Sequence, residues 1–131
     1  MAEPILVLDD DPTNRKLLCV LLASAGYAVE GAGNAEEAQH LLRRFHPNLI
    51  LMDLKLPGKD GLTLTRELKA DPATRRIGVI ALTACAMKGD KERALAAGCD
   101  GFITKPVNTR TLPNEIALFL ARQAPPPSHN S

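Results

Sequence analysis

Excess charge is the first thing this chain lacks. Its 16 basic and 15 acidic residues leave a formal balance of +1, so no electrostatic footprint for nucleic acid or an anionic membrane stands out. Cysteine is scarce as well. Cys19, Cys85 and Cys99 are odd in number and widely spaced. No disulfide framework or zinc-type pair follows from them, and a reduced, cytoplasmic setting fits best. No apolar run approaches the roughly 20 residues of a membrane span. The start, Met1-Ala2-Glu3-Pro4, is acidic and leads straight into a strand-like segment, unlike a signal peptide. What remains suits a single soluble domain with a real core, since 45% of the residues are hydrophobic and 24% charged.

Apolar runs that end in chemistry organise the chain. Ile5-Leu6-Val7-Leu8 runs into Asp9-Asp10-Asp11, and Leu49-Ile50-Leu51-Met52 runs into Asp53 and a turn-rich stretch to Gly61. Such runs suit strands buried on both faces of a parallel sheet. Tyr27 to Glu30, Ile77 to Leu82 and Asp100 to Thr104 supply three more strands. Helices are expected between them. Asp11-Pro12 starts the first, as N-cap and first helical residue. It should run to about Ala25 and stop at Gly26, with Leu17, Leu18, Leu21, Leu22 and Ala25 on the core side. Asn34 with Glu37 opens the second in a capping-box pattern. Leu62, Leu64 and Leu68 mark the third, and an Ala-rich segment from about Lys88 to Gly98 the fourth. The fifth follows Asn108 and carries Leu112, Ile116, Leu118, Phe119 and Leu120. The domain should span residues 1–122, with 123–131 a Pro-rich disordered tail or linker stub.

Five strands alternating with five helices imply an α/β fold, a doubly wound parallel sheet with helices on both faces. The carboxyl ends of four strands then carry Asp9 and Asp10, Asp53, Thr83 and Lys105 on one rim. Crowded carboxylates repel unless a cation is present. Hard oxygen ligands suit Mg²⁺, which keeps several waters and bridges to a phosphoryl oxygen. A lysine and a threonine hydroxyl complete a cradle for a phosphoryl group, and a carboxylate can itself be the nucleophile. Taken singly, each residue has a plain structural reading: an aspartate before a helix is often only a cap.

The motifs Leu6-Val7-Leu8-Asp9-Asp10-Asp11, Met52-Asp53-Leu54-Lys55-Leu56-Pro57-Gly58-Lys59-Asp60-Gly61, Leu82-Thr83-Ala84 and Gly101-Phe102-Ile103-Thr104-Lys105-Pro106 closely resemble the receiver domain of bacterial two-component response regulators. The pattern is most similar to single-domain regulators of the DivK type and to receivers of hybrid kinases. The resemblance spans about Ile5 to Arg122. It implies a flavodoxin-like sheet of strand order 2-1-3-4-5. It implies that Asp53 accepts a phosphoryl group from phosphohistidine, on a histidine kinase or a histidine phosphotransfer protein. Asp10 and Asp53 would ligate Mg²⁺ (Mn²⁺ as an alternative ion), with Asp9 acting mainly through water and the Lys55 backbone carbonyl as a further ligand. Thr83 and Lys105 would contact the phosphoryl oxygens, Ala84 would leave the site open, and Lys105–Pro106 is a candidate cis bond. Thr83 and Phe102 match the family's switch pair. Phosphorylation would then change the surface of the fourth helix, fifth strand and fifth helix, where a downstream protein binds.

Two departures follow from the same resemblance. Fast-cycling relatives orient the attacking water with side chains two residues after the phosphoacceptor and two after the switch threonine. Here those positions hold Lys55 and Cys85, neither an amide nor a carboxylate, so slow self-dephosphorylation is expected. The first helix is apolar most of the way round, with Cys19, Val20 and Ala23 on its outward side. That is the surface on which the family docks its kinase or phosphotransfer partner; the alternative is partial cover by neighbouring segments. A phosphohydrolase of the haloacid dehalogenase type remains a different reading, with Asp9 as the nucleophile of Asp9-x-Asp11-x-Thr13. A receiver excised from a hybrid kinase or longer regulator, and a phosphorylation-independent adaptor, are others.

Overall fold

The computed structural model describes residues 3–55, 61–83, 88–105 and 107–123. Ten elements alternate: β1 (Pro4–Leu8), α1 (Pro12–Ser24), β2 (Ala28–Ala32), α2 (Ala35–Leu41), β3 (Leu49–Asp53), α3 (Gly61–Ala70), β4 (Gly78–Thr83), α4 (Lys88–Ala97), β5 (Gly101–Thr104) and α5 (Leu112–Gln123). The five strands form one sheet of order β2-β1-β3-β4-β5, and every neighbouring pair is parallel. The expected α/β fold and strand order are both present.

Alternation along each strand splits the core in two. Leu6 and Leu8 of β1, Ile50 and Met52 of β3, and Val79 and Ala81 of β4 face the side covered by α2, α3 and α4. Ile5, Val7, Leu49, Leu51, Ile80 and Leu82 face the side covered by α1 and α5. All five residues of β3 are buried, which is why that strand reads as an unbroken apolar run rather than an alternating one. The order reverses between β1 and β3, and in sheets of this kind ligands bind beyond the carboxyl ends of the strands at that point.

The helix ends follow local rules. Asp11 caps α1 by accepting the Thr13 N–H at 3.0 Å, and Gly26 ends it at φ 101°, a left-handed value that suits glycine. Asn34 accepts the Glu37 N–H at 2.8 Å, while Glu37 accepts the Gly33 N–H at 2.6 Å. The capping box therefore closes one residue before its usual backbone donor. Asn108 closes a turn first, so α5 starts at Leu112 rather than directly after it. Pro113 then falls in the first helical turn, where its missing N–H costs little. α5 runs through Gln123, one residue past the expected domain boundary.

The core stripe expected on α1 proves too wide, and the apolar set of α5 is only partly buried. Leu17 is 44% exposed and Leu118 is 62% exposed, and Ala25 is exposed as well. The buried line of α1 is Leu18 and Leu22, and that of α5 is Leu112 and Ile116. A helix lying on a flat sheet buries a narrower strip than one packed on several sides. Cys19 also departs from expectation. It is half-buried against β2, with its Sγ 3.3 Å from the position a Cβ would take on Gly31. Val20 and Ala23 are exposed as expected.

Candidate functional site

The carboxyl rim of the sheet gathers the residues that the strand ends predicted. Asp9 and Asp10 follow β1, Asp53 ends β3, Thr83 ends β4 and Lys105 follows β5. Backbone pairing fixes their relative positions. Asp53 is in register with Leu82, and Thr83 with Thr104. The Lys105 N–H donates to the Thr83 carbonyl at 2.7 Å.

Asp9, Asp10 and Asp53 each offer a carboxylate oxygen, and these three atoms lie within 4.8 Å of one another. Asp10 is exposed, whereas Asp9 and Asp53 are buried. Against them stands Lys105, whose Nζ lies 3.0 Å from Asp53 Oδ2 and 3.4 Å from Asp9 Oδ2. The Lys55 N–H donates to Asp53 Oδ1 at 3.0 Å. Asp53 thus has a donor on each oxygen.

Among the described residues, three clustered acids face the Lys105 ammonium. The Asp53 carboxyl is raised above its ordinary value. Burial is the main cause; the Lys55 N–H and Lys105 pull the other way, and the Asp9 charge pushes it up again. Lys105 is raised too: burial disfavours its charge, but the bonds to Asp53 and the charges of Asp53 and Asp9 outweigh that. An all-oxygen, over-acidic donor set with one exposed member has the chemistry that a hard divalent cation such as Mg²⁺ requires.

Asp9 is fixed more tightly than the sequence suggests. Its Oδ1 accepts the Asp11 N–H at 3.0 Å, and Asn14 Nδ2 donates a short hydrogen bond to Oδ2. Arg15 Nη1 donates to the Asp9 carbonyl at 2.8 Å. Neither Asn14 nor Arg15 stands out in a strand-end reading. The available signal is their place in the first turns of α1, directly after the acidic run. Gly61 is another quiet member: a Cβ there would lie 2.6 Å from the Asp53 carbonyl oxygen. Lys55 is exposed and Phe102 partly buried against the α2–α3–α4 core. Pro57, Ala84, Cys85 and the Lys105–Pro106 bond lie outside the described residues.

The family model for the response regulator receiver domain matches residues 5–117. The chain belongs to that family. This receiver domain is 40% identical over 120 residues to the polar-differentiation response regulator DivK of Brucella ovis, covering 92% of this chain and 98% of that one. A putative response regulator from Chloroflexus aurantiacus superposes with a TM-score of 0.87 at 32% identity, over 93% of this chain and 100% of that one. The receiver domain of a sensor histidine kinase from Pseudomonas aeruginosa has a TM-score of 0.83 at 34% identity, over 92% of this chain and 99% of that one. That structure holds a magnesium ion coordinated in its active-site cleft. The resemblance to DivK-type regulators and hybrid-kinase receivers drawn from the motifs is therefore matched by overall similarity.

Proposed function

We propose that this receiver domain is a phosphorylation-driven switch of a two-component or phosphorelay system, with Asp53 as the phosphoacceptor. The observation that carries the reading is the position of Asp53, held between the Lys55 N–H and the Lys105 ammonium beside two further acids. Asp53 Oδ attacks the phosphorus of a phosphohistidine, and the P–N bond breaks to release the imidazole of a histidine kinase or phosphotransfer protein. Asp10 and Asp53 would hold Mg²⁺, with Asp9 through water and the Lys55 carbonyl as a further ligand. When bound, the ion supplies positive charge against the phosphoryl oxygens.

The chain's own residues supply the rest. Lys105 offers its ammonium to a phosphoryl oxygen, and Thr83 offers its hydroxyl from the end of β4. Thr83 and Phe102 act as the switch pair, and the output is a protein contact through α4, β5 and α5. Val20 and Ala23, now with Leu17, form the exposed apolar strip on which a histidine-bearing helix pair would dock. Cys19 contributes less to that strip, because it faces β2.

What supports Asp53 over Asp9 as the nucleophile is saturation and access. Asp9 Oδ2 takes both the Asn14 amide and Lys105 while its Oδ1 takes the Asp11 N–H, and its side chain is 0% exposed; Asp53 is held by the Lys55 N–H and Lys105 and its side chain is 7% exposed. The test is incubation with acetyl phosphate and Mg²⁺, read by intact mass. The protein should gain one phosphoryl group and Asp53→Ala none. A gain on Asp53→Ala would sink the assignment.

A further inference from the structure

Two consecutive residues of α1 clamp one acid from both ends. Arg15 fixes the Asp9 carbonyl, and its side chain packs on Gly31 of β2 and Gly33 of the turn that follows. A Cβ on Gly31 would lie 3.3 Å from Arg15 Cγ, and one on Gly33 2.9 Å from Arg15 Nη1. Asn14 fixes the carboxylate through Oδ2. A carboxylate has roughly four lone-pair sites. At Asp9 the Asp11 N–H, the Asn14 amide and, at longer range, Lys105 take three of them.

Lys105 can serve either of two acids, yet it sits closer to Asp53, at 3.0 Å, than to Asp9, at 3.4 Å. Burial alone favours the opposite choice. Asp9 is the more enclosed charge, and an enclosed charge lacking donors gains most from a cation. The Asn14 amide removes that need.

We propose that Asn14 is a positioning residue: by saturating Asp9 it keeps the Lys105 ammonium on Asp53. The inference rests on the reading of Asp53 as phosphoacceptor. Without the amide, Lys105 is, among the described residues, the remaining side-chain donor to Asp9 Oδ2 and moves toward it. Asp53 then loses the cation that would meet an incoming phosphoryl oxygen. Divalent-cation binding does not weaken, because Asp9 becomes a freer and more negative neighbour of the other two acids.

Phosphorylation by acetyl phosphate at saturating Mg²⁺ is compared for the parent protein, Asn14→Ala, Asn14→Gln and Asp9→Asn with and without Asn14→Ala. Mg²⁺ affinity is measured by calorimetry. Asn14→Ala should slow phosphorylation about tenfold, the scale of one hydrogen bond to a charged group, with Mg²⁺ bound no more weakly. Asn14→Gln keeps a donor and should recover most of the rate. In the Asp9→Asn background Asn14→Ala should add no further loss. Should Asn14→Ala fail to fold, Asn14→Leu removes the donor at a similar size without adding charge and should show the same slowing. An unchanged rate, or an equal loss in the Asp9→Asn background, overturns the proposal. A fall in rate with weakened Mg²⁺ binding does so too, since it makes Asn14 a scaffold for the metal site. A parent protein that takes up no phosphoryl group at Asp53 overturns the phosphoacceptor reading instead. In that case the ammonium resonance of Lys105 in Asn14→Ala decides: a shift upholds the positioning role, and no shift ends it.

Discussion

Gly61 lies directly against Asp53: a Cβ on the glycine would come within 2.6 Å of the Asp53 carbonyl oxygen and 2.9 Å of Leu54 Cα. Both obstacles are backbone, so neither can swing aside. Gly61 opens α3 and donates its N–H to the Leu54 carbonyl at 3.2 Å. Gly61→Ala should therefore cost about 1–3 kcal/mol, the usual scale of an overpacked site. Urea denaturation of the two proteins checks this, and equal midpoints would count against the close approach.

Asp53 should destabilise the metal-free protein at neutral pH. Its folded-state value is raised, chiefly by burial, so the native state binds a proton more readily than the unfolded one. Above both the folded and the unfolded values the carboxyl is ionised in either state and the whole penalty is present. As pH falls through the raised folded value, the native carboxyl protonates first and the penalty fades. Asp53→Asn should thus melt higher than the parent in a chelator at neutral pH, and the gap should narrow on acidification. Adding Mg²⁺ should raise the parent's melting temperature more than the variant's. A gap that widens toward acid would contradict this.

Core and surface on α5 should separate sharply. Ile116 is fully buried beside Leu18, Leu22 and Leu82 in the layer beneath α1 and α5, whereas Leu118 is 62% exposed. Ile116→Ala should cost about 2–5 kcal/mol. Leu118→Ala should stay within about 0.5 kcal/mol. Chemical denaturation of both variants measures the contrast.

The phosphorylated protein should persist for many minutes or longer. Lys55 is exposed beside Asp53 and contributes its backbone N–H to the acceptor carboxylate. Its side chain has donors and no acceptor, so it offers an attacking water no hydrogen-bond acceptor to orient it. Lys55→Asn should shorten the lifetime, as followed by the decay of the phosphorylated mass. Loss within seconds in the parent protein would refute the expectation.

Much of this molecule is written locally. Apolar runs that stop at Asp9, Asp53, Thr83 and Lys105 placed the strands and aligned their ends, because a parallel sheet buried on both faces leaves few other places for such runs. Caps at Asp11 and Asn34 and the stop at Gly26 set the helix boundaries within a residue or two, since they satisfy backbone groups a few positions away. The acidic cluster followed from those elements alone.

Tertiary structure decided what depends on partners distant in sequence. Only the packed sheet shows that Leu17 and Leu118 face outward, that Cys19 turns toward Gly31, and that Gly61 must lack a side chain. Periodicity names the side of a helix, not the width of the strip its neighbours cover. The division of Lys105 between Asp53 and Asp9, and the part of Asn14 in it, arises across four elements. It turns on differences of a few tenths of an ångström between buried charges, where the low dielectric makes small displacements count.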